Sequence, residues 1–314
     1  MLGFIAKRVL FAVPTVLIVV VVVFFLVRMF PGDPALLLLG DQATPESLER
    51  LRHQMGLDRS VVEQFAAWAM RAATGDLGMS IVTKEPALPM ALKAYGVSLT
   101  IAIPSIILVT IISVPMGMIA AWKQNSVTDT TLVGLATLLL SVPTFWSGLM
   151  ILLLLGVWMR VFPVVGYVSV FEDPLRGIVY LAMPILTLVL HEIGSLIRMM
   201  RASSLEVLRL DYVTHARAKG ASERRVLGGH VLRNAFGPVW TLIGLMLGGL
   251  VGGIAIVETV FTIPGIGRLI VESIYQRDYP VIQACLLIVA VSYVLINTII
   301  DLFYPIFDPR VTRE

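Results

Sequence analysis

Cysteine, charge and catalytic motifs are all scarce in this chain. Of 314 residues one is cysteine, Cys285, and it lies in an apolar run. A single thiol excludes an internal disulfide and a thiolate metal site, and leaves Cys285 as a small core side chain. Charged residues make up only 14% of the chain and aromatics 8%. No G-x-x-x-x-G-K-[ST] occurs, so the chain has no loop of its own to cradle ATP phosphates. The four histidines, His53, His191, His215 and His230, show no metal-ligand spacing, and Ser195 stands where a zincin helix would place its second histidine after His191-Glu192. There is no G-x-S-x-G elbow. Basic residues cluster, but without the interleaved aromatics on which bases stack. These absences argue against an enzyme and against a nucleic-acid partner, and no cofactor or metal is expected.

Apolar length is what the chain has instead. It is 57% hydrophobic with a mean hydropathy of +0.89. Runs of about 18 or more apolar residues recur, the signature of membrane-spanning helices. The expected fold is an all-α integral membrane protein with six transmembrane helices, at about 9–29, 97–121, 132–158, 178–197, 237–257 and 281–304. Prolines 104, 115, 143 and 184 fall inside or at the ends of these runs, where neighbouring helices can satisfy the freed carbonyls. Lys7 and Arg8 before an apolar run resemble the start of a signal peptide, but the run is long enough to span and lacks a small-x-small cleavage site, so it reads as a retained first span.

Charge sets the expected orientation. Lys7, Arg8, Lys123, eight basic residues between Arg198 and Arg233, Arg310 and Arg313 fall on one side; the short loops of the other side carry Arg160, Arg176, Arg268 and Arg277. The positive-inside rule places both termini and the 198–233 loop in the cytoplasm. The long 31–96 segment then lies outside and looks folded. Thr44 can cap a helix that begins at Pro45 and stops before Gly56, with Leu48, Leu51 and Met55 as its stripe. Ser60 and Glu63 form a capping-box pattern ahead of Val61, Phe65, Trp68 and Ala72. These helices can pack on the ends of the chain's own spans or present a docking surface to an external partner.

Three polar or small-residue features stand inside the spans. Gly244, Gly248 and Gly252, with Gly249 and Gly253 one step round, let two helix backbones approach, within the chain or against a second membrane subunit. His191 and Glu192 sit near the end of the fourth span, where ionisable groups mark either a transport path or an interfacial pair. Asp301 and Asn297 read as polar packing between helices.

The chain is organised around the charged stretch LRLDYVTHARAKGASERRVLGGHVLRNAFGP, Leu208 to Pro238. Asp211 can cap a short helix, Val213 and Ala216 share a face, and Gly220 after Lys219 is a stop signal, with Ser222 opening a second helix. A helix of about nine residues is roughly 13 Å long. That is a knob held by a partner, not a domain; simple topogenic charge against anionic lipid is the plainer reading of the basic residues.

This loop is similar to the cytoplasmic "EAA" loop of ABC importer membrane subunits in the peptide and nickel permease family. Ala216 and Gly220 match, while the loop's usual glutamate falls at Thr214. FPGDPA at 30–35, GDLGMS at 75–80, VPTFW at 142–146, FPVVGY at 162–167, ETVFTIPGIGRL at 258–269, RDYPVIQ at 277–283 and FDPR at 307–310 also look like that family, and the first-span pattern fits the first permease of its pairs. The resemblance implies a type I ABC importer transmembrane domain. Residues 1–94 would form a first helix and extracytoplasmic segment, 95–305 the transmembrane domain with its coupling loop at 198–236, and 306–314 a cytoplasmic tail. It implies a bacterial inner-membrane pore made with a second homologous permease, two ATPase subunits beneath and an extracytoplasmic solute-binding protein above. Asp211, Tyr212, Thr214, Ala216, Arg217, Ala218, Lys219 and Gly220 would be the coupling helix that contacts an ATPase; Gly244, Gly248, Gly252 and Glu192 are the candidates for helix packing or the pore. Di- or oligopeptides are the expected solutes, with nickel or glutathione as alternatives in the same class. An ion-coupled transporter and a membrane scaffold are the alternatives from other classes; the missing internal repeat argues against the first.

Overall fold

The computed structural model of the chain describes residues 2–28, 34–39, 43–54 and 56–307. Helices carry the described architecture, joined by one isolated antiparallel bridge between Met79 and Pro86. In order they are α1 (Leu2–Arg28), α2 (Pro34–Leu39), α3 (Pro45–Gln54), α4 (Val61–Ala73), α5 (Ala87–Trp122), α6 (Val127–Ser141), α7 (Thr144–Ile151), α8 (Pro174–Leu208), α9 (Asp211–Ala218), α10 (Glu223–Arg225), α11 (Leu232–Gly253), α12 (Ala255–Val260), α13 (Ile266–Gln276) and α14 (Tyr279–Phe307). Wider π-helical turns continue α7 over Leu152–Trp158 and join α10 to α11 over Val226–Val231.

Among the described residues five helical stretches are long and apolar enough to cross a membrane, and the third expected crossing is different in kind. The run 132–158 was expected as one helix; α6 and α7 instead meet at an angle of 97°. Pro143 marks the place of the break. It has no N–H to donate, and its ring forces Val142 out of the helical region to φ −88°, ψ 124°. Proline is tolerated inside α5 (Pro104, Pro115) and α8 (Pro184), which run on through it. These two helices have 36 and 35 residues, so at 1.5 Å per residue each is more than about 50 Å long and outreaches a bilayer core. The sequence-based spans lie inside them, 97–121 at the C-terminal part of α5 and 178–197 at the N-terminal part of α8.

α5 and α8 form the centre, and small residues let them touch. A β-carbon on Gly117 of α5 would stand 2.7 Å from the Ile197 carbonyl oxygen of α8, and one on Gly194 would overlap the Ala136 carbonyl of α6. Ser113 Oγ donates to the Ile193 carbonyl at 3.2 Å across the same seam. Between lipid-immersed helices, such close van der Waals contact and interhelical hydrogen bonds replace the expulsion of water as the source of stability. The expected glycine face of the fifth span is used in the same way within the chain: Gly244 packs on Ile300 and Gly248 on Tyr293, both of α14. Gly249 faces open space, and the surroundings of Gly252 and Gly253 lie outside the described residues. Trp240 Nε1 donates to the Ile300 carbonyl at 3.0 Å in this seam. Asp301 pairs with Arg8 of α1 at 2.9 Å, so its polar packing between helices is an ion pair.

The segment before α5 folds largely as its local signals direct. Thr44 accepts from the Ser47 amide at the start of α3, and Ser60 and Glu63 form a reciprocal capping box on α4. The hydroxyl and then the amide of Ser60 hold the Glu63 carboxyl below the ordinary carboxylate range. Phe65 and Trp68 of α4 pack against Phe24 of α1, with ring centroids 5.1 and 5.4 Å away, so this helix sits on the chain's own span. Met55 lies outside the described residues, as does the tail from 308 onward. Two buried carboxylates fasten the loops at this end. Asp278 accepts from Ser80 Oγ and, at 3.0 Å, from the Ile81 amide. Glu258, fully buried, accepts from Ser98 Oγ and from the Arg268 amide at 2.9 Å, while Ser98 Oγ accepts from the Ile266 amide. Together they satisfy amides at the start of α13 that no helical carbonyl reaches.

Candidate functional site

At the end of α8 the chain leaves the bundle and makes a compact protrusion before returning as α11. Its first helix, α9, has eight residues, too few to persist by themselves. Three devices hold it. Val213 is fully buried and joins Met200 and Val207 of α8, Val226 and Val231 of the π turn, and Ala235 and Val239 of α11 in one cluster. Arg217 Nε and Nη2 donate to the Glu223 carboxylate at 2.9 and 3.2 Å, tying α9 to α10. The third is the turn at Gly220. Its amide donates to the Arg217 carbonyl at 2.9 Å and the Ala221 amide to the Ala216 carbonyl at 3.2 Å, a Schellman closure that needs Gly220 at φ +80°. A β-carbon there would meet nothing within 4 Å, so glycine is required by backbone angle, not by space.

The start of α9 departs from expectation. Leu210 is the N-cap and provides no side-chain hydrogen bond; Asp211 is the first helical residue. As a capping residue Asp211 is therefore corrected. Its carboxylate stands in the first turn, favourable to the helix dipole but without a cap's geometry. The rest of the helix turns outward. Tyr212, Thr214, His215, Arg217, Ala218 and Lys219 are exposed and Ala216 is half-buried, so the small residues 216 and 218 lie on or beside the solvent face. Arg217 already has a carboxylate partner within the chain, whereas no described ion pair engages Lys219, which follows α9.

Behind this protrusion lies a clamp that sequence reasoning did not single out. Arg201 had been counted among loop charges; it stands inside α8. Its Nε and Nη2 donate to Asp129 at 2.6 and 2.7 Å, a bidentate pair in which the Asp129 side chain is 5% exposed. Asp129 also accepts from the Asn125 amide at 3.0 Å. The clamp fixes the start of α6 to the same end of α8 from which α9 hangs. Nothing in the sequence singles the pair out: Asp129 lies in the polar stretch KQNSVTDTT and Arg201 follows Arg198 at the start of the basic region, 72 residues further on. Gly117, Gly194, Glu258 and Asp278 were likewise missed as structural anchors. Glu192, the other candidate, is half-buried on α8 beside His191, whose Nδ1 is buried without a partner. It is remote in sequence from the α9 tip, and the structure does not gather it with those residues into one site.

The protrusion thus has one apolar root and one exposed polar face. Residues 113–313 match the family described as binding-protein-dependent transport system inner membrane component, and residues 1–102 match the N-terminal part of the same kind of component. The chain belongs to this family. It is an ABC importer permease of the peptide-permease group, an all-α multi-pass protein of the inner membrane. A putative peptide transport system permease protein of Brucella abortus (strain 2308) is 39% identical over 314 residues, covering all of both chains. The dipeptide transport system permease protein DppB of Escherichia coli (strain K12) is 35% identical over 338 aligned positions, again covering all of both. Among solved structures, the crystal structure of an amino acid ABC transporter with histidines is similar with 15% identity and a TM-score of 0.46, over 71% of this permease and 94% of that chain.

Proposed function

We propose that this permease lines the pore of an ATP-driven importer of di- or oligopeptides and that α9 is its coupling helix, seated in a groove on a partner ATPase. The observation that carries the reading is the continuity of the Val213 cluster, which roots α9 in both α8 and α11. A displacement of the tip cannot be absorbed by a loose hinge; it is passed to two crossings at once, through the Arg201–Asp129 clamp to α6 as well. This suits alternating access by rigid-body motion with energy supplied from outside the chain. Ala216 and Ala218 keep the seat close, and Lys219 offers the charge. Both termini and α9 are cytoplasmic in this reading, by the excess of Lys and Arg on that side. The 31–96 segment then meets the solute-binding protein, a second permease completes the pore, and two ATPases, alike or different, drive it. The names of the relatives support peptides over nickel or glutathione. The ion pair of Asp301 with Arg8 weighs against an ion-coupled carrier that would use that carboxylate.

The test is Ala216→Asp in the importer reconstituted with its ATPases and binding protein. The added carboxylate brings volume and charge to a seat built for a methyl group. The chain is expected to remain in the membrane with its melting temperature unchanged, while ATP-dependent uptake falls at least about ten-fold, the equivalent of about 1.4 kcal/mol of docking. Uptake at the wild-type rate would overturn the coupling-helix assignment.

A further inference from the structure

A cavity of about 590 Å³ lies between the end of α1, α4, the turn at residues 76–84 and the first turn of α14. Three of its wall residues are more than nine-tenths buried and have a polar atom without a partner: Trp68 Nε1, Tyr279 Oη and Gln283 Nε2. Each can donate a hydrogen bond, and Trp68 Nε1 can do nothing else. Leaving one such buried donor unpaired costs about 1–3 kcal/mol, and all three belong to residues that line this space. The charges agree. Arg28, Arg59, Arg71 and Lys84 reach the wall, against Glu63 and Asp76. Both acids are occupied locally, Glu63 by the Ser60 capping box and Asp76 by the Gly78 amide at 2.9 Å. Arg28 is held in place by Gln64 Oε1 at 2.9 Å and by the face of Phe24 at 3.5 Å. The site is built for an oxyanion.

Its position identifies the source. Val27 and Arg28 end the apolar crossing Leu10–Arg28, and Tyr279 and Pro280 begin the crossing Tyr279–Ile306, so the cavity stands at the level of the membrane boundary. α1 is a peripheral helix with Leu17, Ile18, Val22, Phe25 and Leu26 exposed along it, which leaves an apolar track for acyl chains leading to the cavity. We propose that this cavity binds the phosphate of an anionic phospholipid headgroup and that the lipid braces α4 and the 76–84 turn against α1 and α14.

The experiment measures lipid retained by the purified full-length chain, by native mass spectrometry after exchange from phosphatidylglycerol into mild detergent. One phosphatidylglycerol per chain is expected to persist, with phosphatidylcholine retained about ten-fold less and inorganic phosphate at millimolar level failing to displace the lipid. Tyr279→Phe, which removes one hydroxyl, is expected to lower retention about five-fold, and Arg71→Gln about as much. Equal retention of both lipids, or no retention by the unaltered chain, would overturn the proposal. Displacement by inorganic phosphate alone would assign the site to a free oxyanion and overturn the lipid source. The comparison of lipids needs no variant, so misfolding of Tyr279→Phe would not spare the proposal.

Discussion

Replacing Gly220 separates backbone angle from space as the cause of the α9 turn. At φ +80° an L-residue is strained by about 1–2 kcal/mol, and its stiffer unfolded chain returns about 0.4–1 kcal/mol. No atom lies within 4 Å of the added β-carbon, so no steric term enters. Gly220→Ala should therefore weaken the closure by about 1 kcal/mol, or about five-fold in the opening equilibrium. Gly220→Asn should cost less, because asparagine tolerates the left-handed region. Gly220→Pro fixes φ near −65° and removes the amide that donates to Arg217, and should cost about 3 kcal/mol or more. Gly229→Ala is the control, since that glycine has open surroundings and ordinary φ. The assay is hydrogen exchange of a peptide spanning 211–221 in lipid nanodiscs, followed by uptake in the reconstituted importer. Exchange should quicken in the order Asn, Ala, Pro, and uptake should fall in that order while the crossings stay protected. An alanine variant with unchanged exchange, or a proline variant with wild-type uptake, would refute both the turn and its role.

Other expected outcomes concern the supports. Asp129→Ala should destabilise the permease by about 2–4 kcal/mol, read as a lowered unfolding temperature in detergent, because it strands a guanidinium that is only one-quarter exposed. Asp129→Ala with Arg201→Met should recover part of that loss, and strict additivity would show that the pair is not coupled. Gly117→Ala should cost about 3 kcal/mol, since the clashing atom at Ile197 is backbone and cannot rotate away, whereas Gly134→Ala, in open space on α6, should be neutral or stabilising by about 0.5–1 kcal/mol. The Ser60–Glu63 capping box should respond to pH. Its carboxyl is held below the ordinary value of 4.5, so its contribution is present above that value and is lost as pH falls through the lower, folded one. Protection of the amides in the first turn of α4, their exchange measured against the intrinsic rate at each pH, should therefore fall in acid, and Ser60→Ala should remove most of that dependence.

Much of this permease is legible from composition and local pattern. Apolar run length fixes where helices cross, because a bilayer leaves the backbone no partner but itself. The capping box at Ser60, the Thr44 cap and the stop at Gly220 are properties of three or four adjacent residues, and they form where the pattern puts them. The α9 knob was visible for the same reason, and Cys285 lies buried as its apolar run required. Pairings between distant segments were not legible. Arg201 reads as one more loop cation until α6 brings Asp129 to it, and Glu258 reads as one letter of a motif until Ser98, 160 residues away, meets it. Whether the fifth-span glycines face a neighbour of the same chain or another subunit was open in sequence, and the shapes of Ile300 and Tyr293 decided it for Gly244 and Gly248. The 97° break after Ser141 was half-legible: proline marked the place, but only the packing of α6 and α7 on α8 determined that the chain would turn there instead of running straight on, as α5 does through Pro104. Sequence alone determined the elements whose physics is local or set by the bilayer. Tertiary structure decided which polar groups and which small residues meet, because those contacts depend on chain separations that no local pattern encodes.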